Sequence, residues 1–201
     1  MKLYYSPGAC SLAPHIVLLE AGLCGQTIQV STKTHQLEDG SDYYAINPLG
    51  HVPFLLTDSG QTLRETAVIV QYLADLAPQK QLIPASGSMA RYQLQSWLNF
   101  IATELHQGLG PLFKPTTPED YKPLARQRVL ERLQWVDEQL DGKSWLTGEQ
   151  FSVADVYLFV VSGWTQHVEV DIAALKNLVA LRERIMARPA VQAAMKAEGL
   201  I

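Results

Sequence analysis

Over the first 77 residues apolar positions come in short bursts separated by turn residues, and from residue 89 onward they recur at helical spacing. Lys2-Leu3-Tyr4-Tyr5 reads as a strand, Ser6-Pro7-Gly8 as a turn, and Leu12 to Ala21 as a helix with Leu12, Ile16, Leu18 and Leu19 as its apolar positions. Strands follow at Thr27 to Val30, Pro53 to Thr57 and around Thr62 to Leu63, with a short helix near Asp42 to Ile46 and a helix from Glu65 to Leu76. The helical crossover between the first two strands makes them parallel, and the tight turn Asp58-Ser59-Gly60 joins the last two as a hairpin. The pattern βαβαββα therefore predicts a mixed sheet with helices on its faces over residues 1–77.

Pro78 and then Pro84-Ala85-Ser86-Gly87-Ser88 end the alternation, so 78–88 reads as a linker and 89–201 as an all-α domain. Its helices are predicted at Met89 to Leu109, Pro118 to Leu140 and Ser152 to Gln166, with shorter ones closing the chain. Ser152-Val153-Ala154-Asp155 has the form of a capping box, and Phe151 and Val156 occupy the staple positions around it. The run after it, Val156-Tyr157-Leu158-Phe159-Val160-Val161, is apolar nearly all round and predicts a buried central helix. Capping accounts for Asp155 better than catalysis does.

Composition narrows the function classes. A formal charge of −4 and an isoelectric point near 5.7 offer no electrostatic footprint for nucleic acid or an anionic membrane. No apolar run approaches the ~20 residues that span a bilayer, and Met1-Lys2-Leu3 leads straight into a strand without a signal-peptide pattern, so the expected location is the cytoplasm. The two cysteines lack metal-ligand spacing, and the histidines at 15, 35, 51, 106 and 167 include no H-x-x-x-H pair, so no metal is expected.

The candidate chemistry starts at Cys10, which stands where the first strand turns into the first helix. Free backbone N–H groups and the positive end of the helix dipole favour an anion there, and such placement lowers a thiol pKa from about 8.5 to roughly 3.5–7.5. A small buried hydrophobe is the plain alternative. A dithiol enzyme would need a second cysteine at Ala13, and Cys24 lies beyond a helix of about 15 Å, too far for a bridge. A reactive thiol at this position would serve as a protein nucleophile or as the partner of a small thiol such as glutathione.

Asn47-Pro48-Leu49-Gly50-His51-Val52-Pro53 leads into a strand, and Val52–Pro53 is the candidate for a cis bond, with a plain turn and edge-strand proline as the alternative that is commoner in general; a cis bond would leave the Val52 backbone available to an extended peptide ligand. Glu65-Thr66 opens a helix, where a carboxylate would meet free N–H groups and the Thr66 hydroxyl while Glu65 faces an ammonium group. Together they suit the amino-acid end of a γ-glutamyl moiety, the alternative being Glu65 as a plain complement to the helix dipole and Thr66 as a first-turn residue. In the long helix, Tyr92, Ser96, Asn99, Thr103 and His106 form one small-polar stripe, richer in Ser, Asn and Thr than a solvated face, and suited to lining a cleft. His106 is the candidate donor to a thiolate, a sulfur-bearing intermediate or a leaving group.

With these residues in place, the chain resembles the bacterial beta-class glutathione transferases. The segments M-K-L-Y-Y-S-P-G-A-C-S-L-A-P-H-I, N-P-L-G-H-V-P, V-I-V-Q-Y-L-A-D, W-L-N-F-I-A-T-E-L-H and F-S-V-A-D-V-Y-L-F are each similar to that class, and the likeness covers essentially the whole length. The resemblance implies a thioredoxin-like glutathione domain, an all-helical domain and a homodimer. It implies that Cys10 approaches the glutathione sulfur and forms a mixed disulfide with it, and that Val52 with Pro53 holds the cysteinyl backbone. Glu65 and Thr66 would take the γ-glutamyl group, and His35, Asn99, Thr103, Glu104 and His106 would complete the glutathione site, some of them from a neighbouring subunit. Phe113, Trp164 and His167 would build the pocket for a small hydrophobic electrophile. Three positions depart from the family pattern: His35 and Gln107 stand where lysine is common, and Thr66 where serine or glycine is common. The implied function is conjugation of glutathione to electrophiles, with thiol–disulfide exchange through Cys10. The alternatives are a non-catalytic binding protein of the same fold and a dehalogenase-like enzyme.

Overall fold

The computed structural model describes residues 1–201, which divide into two compact units. The first comprises Met1–Ile83 together with Ala187–Ile201, and the second Pro84–Met186. The C-terminal fifteen residues, expected in the helical domain, thus return to the first unit. Helix α7 (Pro189–Ala197) packs on α1 (Leu12–Glu20), and just before α7 the Arg188 guanidinium bonds both carboxylate oxygens of Glu20 at 2.6 and 2.9 Å.

The sheet of the first unit has the order β3-β2-β1-β4-β5, with β1 (Lys2–Tyr5), β2 (Gln26–Ser31), β3 (Gln36–Leu37), β4 (Phe54–Leu56) and β5 (Thr62–Arg64). β1 and β2 are parallel, and β4 and β5 form the expected antiparallel hairpin. The two-residue β3, antiparallel to β2, was not foreseen; it is too short to show a period. The helix expected near Asp42 to Ile46 is a 3₁₀ turn, Tyr43–Ala45, whose first N–H groups are held by the Asp42 carboxylate through Tyr44 N at 2.9 Å. Tyr43 itself is fully buried and joins Tyr4, Val30 and Phe54 in one apolar cluster. Each such ring or aliphatic side chain contributes about 1.5–3 kcal/mol by leaving water. Helix α2 (Thr66–Asp75) closes this unit's α/β order.

The second unit is helical: α3 (Met89–Phe100), α4 (Tyr121–Gln139), α5 (Val153–Gly163) and α6 (Lys176–Met186). The long helix expected from Met89 to Leu109 is α-helical only to Phe100; it widens into a π-helical segment, Ile101–His106, and returns to an α-turn at Gln107–Leu109. Helix α4 starts at Tyr121, with Pro118 just outside it. The capping box before α5 is formed as the sequence predicts. Asp155 Oδ2 accepts from Ser152 N at 2.8 Å and from its hydroxyl at 2.7 Å, while Oδ1 accepts from Leu146 N at 2.8 Å. Ten of the eleven residues of α5 are buried, so it is the central helix of this unit. No helix is long and apolar enough to cross a membrane.

Candidate functional site

In the first unit two distant segments converge on the loop that carries Cys10. The residue ends the loop after β1, and its Sγ donates to the Val52 carbonyl at 3.3 Å, while the Thr66 hydroxyl at the start of α2 is near enough to pull the thiol pKa down. The Val52–Pro53 peptide is cis, as the proline after the turn suggested. The Val52 carbonyl is therefore engaged by the thiol, and the Val52 N–H has no backbone partner. Glu65, the N-cap of α2, lies at φ 67°, a left-handed conformation rare for a residue with a side chain. Such backbone outliers persist where the surroundings over-determine them and cluster at ligand sites.

The electrostatics of Cys10 differ from the sequence expectation. Burial pushes the thiol up to about 11, outweighing the Thr66 hydroxyl and the backbone N–H groups that pull it down, and Glu65 adds to the rise. The helix begins at Leu12, two residues on, so the dipole acts weakly, whereas the S–H···O=C bond to Val52 requires the neutral thiol. Burial and the bond to the Val52 carbonyl thus both favour the neutral thiol at Cys10.

Two anchors not foreseen hold the loop ahead of Cys10. Ser11 Oγ accepts from Ser6 N at 3.0 Å and donates to Ser6 O at 3.2 Å. The buried carboxylate of Glu198, just after α7, accepts from Gly8 N at 3.0 Å and bonds His15 Nδ1 at 2.9 Å. No local pattern could reveal a partner 190 residues away. His35 stands on a left-handed turn, φ 54°, with its ring 4.5 Å from that of Tyr44 and a buried Nδ1 that has no partner. Gly50 makes this stack possible, because a Cβ there would lie 2.7 Å from the Tyr44 ring and 2.8 Å from His35 Nδ1.

The second unit gathers some of its predicted residues and separates others. Asn99 and Thr103 are exposed and joined by a 3.0 Å bond from the Thr103 hydroxyl to the Asn99 carbonyl. The π-helical turn breaks the stripe beyond them, because its wider winding rotates later residues out of α-helical phase. His106 consequently turns toward α5, where its Nδ1 lies 2.7 Å from the Tyr157 hydroxyl. Its ring packs edge-on against Trp164 at 4.9 Å, and Trp164 against Phe113 at 6.0 Å. His167 stands apart, exposed beside Gln166. Desolvation lowers His106 to about 4, so the imidazole is neutral at neutral pH, against the near-neutral titration expected of it. Glu104 is held by Arg132 at 3.0 Å and Arg128 at 3.2 Å, and these guanidinium groups keep its carboxyl below the usual range. Tyr157, missed by the sequence reading, is the one polar ring in the apolar run of α5, which was the available signal.

The comparisons with known proteins agree along the whole chain. Residues 8–76 match the family model "Glutathione S-transferase, N-terminal domain" and residues 100–189 the model "Glutathione S-transferase, C-terminal domain". Glutathione S-transferase GstA of Escherichia coli O157:H7 is 48% identical over 200 residues, covering 100% of both chains. The structure of a sphingomonad glutathione S-transferase complexed with glutathione superposes with a TM-score of 0.96 at 46% identity, covering 100% of both chains. The bacterial beta-class glutathione S-transferase of Sphingomonas chungbukensis gives a TM-score of 0.97, also at 46% identity and 100% coverage of both chains.

Proposed function

The chain belongs to the glutathione S-transferase family, and from that membership we propose that it binds reduced glutathione through Cys10, Val52, Pro53, Glu65 and Thr66 and conjugates it to small hydrophobic electrophiles. The observation that carries this assignment is the convergence of the Cys10 thiol, the cis Val52–Pro53 peptide and the N-terminus of α2 behind a left-handed Glu65. The Val52 backbone pairs with the cysteinyl part of glutathione as an added strand would. The α2 N-terminus and the Thr66 hydroxyl receive the γ-glutamyl carboxylate, and Glu65 its ammonium group. His35, stacked on Tyr44, supplies a further polar contact. Asn99, Thr103, Glu104 and His106 are the contributions of the helical unit, and Phe113 and Trp164 supply aromatic surface for the electrophile.

A neutral Cys10 suits conjugation. Its S–H is a donor to a glutathione thiolate, which attacks the electrophile, forms the thioether bond and expels the leaving group with its electron pair; the glutathione proton passes to solvent. Thiol–disulfide exchange runs through the same sulfur. The Cys10 thiolate attacks a glutathione mixed disulfide, binds the glutathione sulfur and releases the other thiol, and a second glutathione then regenerates Cys10 as glutathione disulfide leaves. With burial holding the thiol near 11, the exchange rate should rise with pH.

We assign the enzyme to the cytoplasm as a homodimer. Supporting the dimer, Tyr44, Leu49 and Val68 in the first unit and Met89 and Tyr92 in the second are exposed large apolar side chains. Light scattering should return twice the 22.3 kDa chain mass, and a monomer at micromolar concentration would refute that assignment. The central test is the initial rate of thioether formation between reduced glutathione and chlorodinitrobenzene at neutral pH. A saturable rate above the uncatalysed reaction is expected, and its absence would overturn the transferase reading.

A further inference from the structure

His106 has its Nδ1 2.7 Å from the Tyr157 hydroxyl, and the two rings meet edge-on with centroids 6.0 Å apart. Trp164 closes on the imidazole from another side at 4.9 Å. Tyr157 is 2% exposed and sits on the buried helix α5, whose start is fixed by the Ser152–Asp155 capping box. His106 comes to it at the end of the π-helical segment, a feature that recurs at functional sites. An imidazole in this setting has one ring nitrogen committed and the other left for different work.

The direction of the bond follows from the chemistry of the pair. A phenol O–H is the stronger acid of the two donors, and an imidazole nitrogen is a much better acceptor than a phenol oxygen. Between a neutral tyrosine and a neutral histidine, the O–H···N arrangement therefore prevails. The other nitrogen must then carry the proton, because a neutral imidazole holds one.

We propose that Tyr157 is a positioning residue for His106: its hydroxyl donates to Nδ1, fixes the imidazole as the Nε2–H tautomer and so presents an N–H donor to the reacting substrate. The opposite tautomer would offer only a lone pair there, which repels a thiolate or a departing anion. This role rests on the transferase reading. Desolvation supports it, because an imidazole held down to about 4 stays neutral, with one donor, across the working pH range.

Long-range ¹H–¹⁵N spectra of the imidazole groups in the full-length protein report the tautomer directly, with the His106 signals identified by their loss in His106→Phe. The wild type should show an unprotonated Nδ1 and a protonated Nε2, and Tyr157→Phe should move both toward the values of an exchanging mixture. Tyr157→Phe, which removes one oxygen and keeps the ring, should lower kcat about tenfold with KM for glutathione changed less than about twofold, a loss of one misoriented donor. The Tyr157→Phe/His106→Phe double variant should be no slower than His106→Phe alone. A wild-type spectrum with the proton on Nδ1 would overturn the proposal, as would losses that multiply in the double variant. If Tyr157→Phe fails to fold, the wild-type spectrum alone decides. Failure of the transferase reading is distinguishable, since it appears as absent conjugation by the wild type while the spectrum still reads the tautomer.

Discussion

Cys10 shows how burial overrides a favourable backbone field. Its position at a strand-to-helix turn is legible in the sequence, but the sign of its pKa shift is not. The shift is set by burial in the fold, and the groups that meet the sulfur lie 42 and 56 positions away, at Val52 and Thr66. In a Cys24→Ser background, which removes the exposed second thiol, iodoacetamide alkylation of unliganded Cys10 should still be rising with pH at 9 and level off only toward about 11. A plateau near neutrality would show that the helix terminus dominates after all. Cys10→Ala should abolish thiol–disulfide exchange, and an exchange rate that survived would remove the cysteine from the mechanism. His106 is a second case in which the environment reverses expectation. Its folded pKa of about 4 lies below the ordinary 6.5, so the neutral form stabilises the fold above 6.5 and that stabilisation is lost as pH falls through 4. In urea unfolding across this window, the stability of the wild type relative to His106→Phe should fall by at most about 3 kcal/mol as pH drops.

At the scale of the element, local signals survive and phase does not. The cap of α5 is readable because Ser152 and Asp155 are three residues apart and satisfy each other. The π-helical turn after α3 is invisible to an apolar period of 3.6, since Ile101 and Leu105 are buried and fit an α-helix equally well. Asp155→Ala leaves the buried N–H groups of Leu146 and Ser152 without their acceptor, so it should cost about 2–4 kcal/mol of stability, measured by denaturant unfolding. A loss under about 0.5 kcal/mol would mean that water replaces the carboxylate. The titration of Asp155 runs opposite to that of His106. Burial raises the carboxyl to about 6, so the stabilisation by its protonated form is complete below the unfolded value near 4 and disappears as pH rises through 6. The two slopes oppose one another between pH 4 and 6, and a flat wild-type profile there is their sum. Only the difference from Asp155→Asn or His106→Phe separates them.

For the whole molecule, the order of elements is legible and the return of the chain end is not. Alternation and turn chemistry mark the α/β part, and the proline-rich stretch marks where it stops, but the destination of residues 187–201 depends on contacts that no window of sequence contains. Glu20 and Arg188 read as ordinary surface charges until α7 lies along α1, and Glu198 reads as a helix-end residue until its carboxylate meets Gly8 and His15. This return has a consequence for the loop that carries Cys10. Gly8 has φ +70°, which glycine adopts without strain, and its N–H is held by a carboxylate whose other oxygen is committed to His15. Glu198→Ala breaks both bonds inside a buried site, so it should destabilise the protein by about 2–4 kcal/mol. It should also speed hydrogen exchange at the Gly8 amide more than exchange within β1, because β1 keeps its ladder partners on both sides. Glu198→Gln retains one amide oxygen as an acceptor for Gly8 and should fall between the two. Equal acceleration at Gly8 and throughout β1 would mean that the carboxylate supports the unit as a whole, whereas a change confined to residues 6–10 would tie the chain end specifically to the cysteine loop.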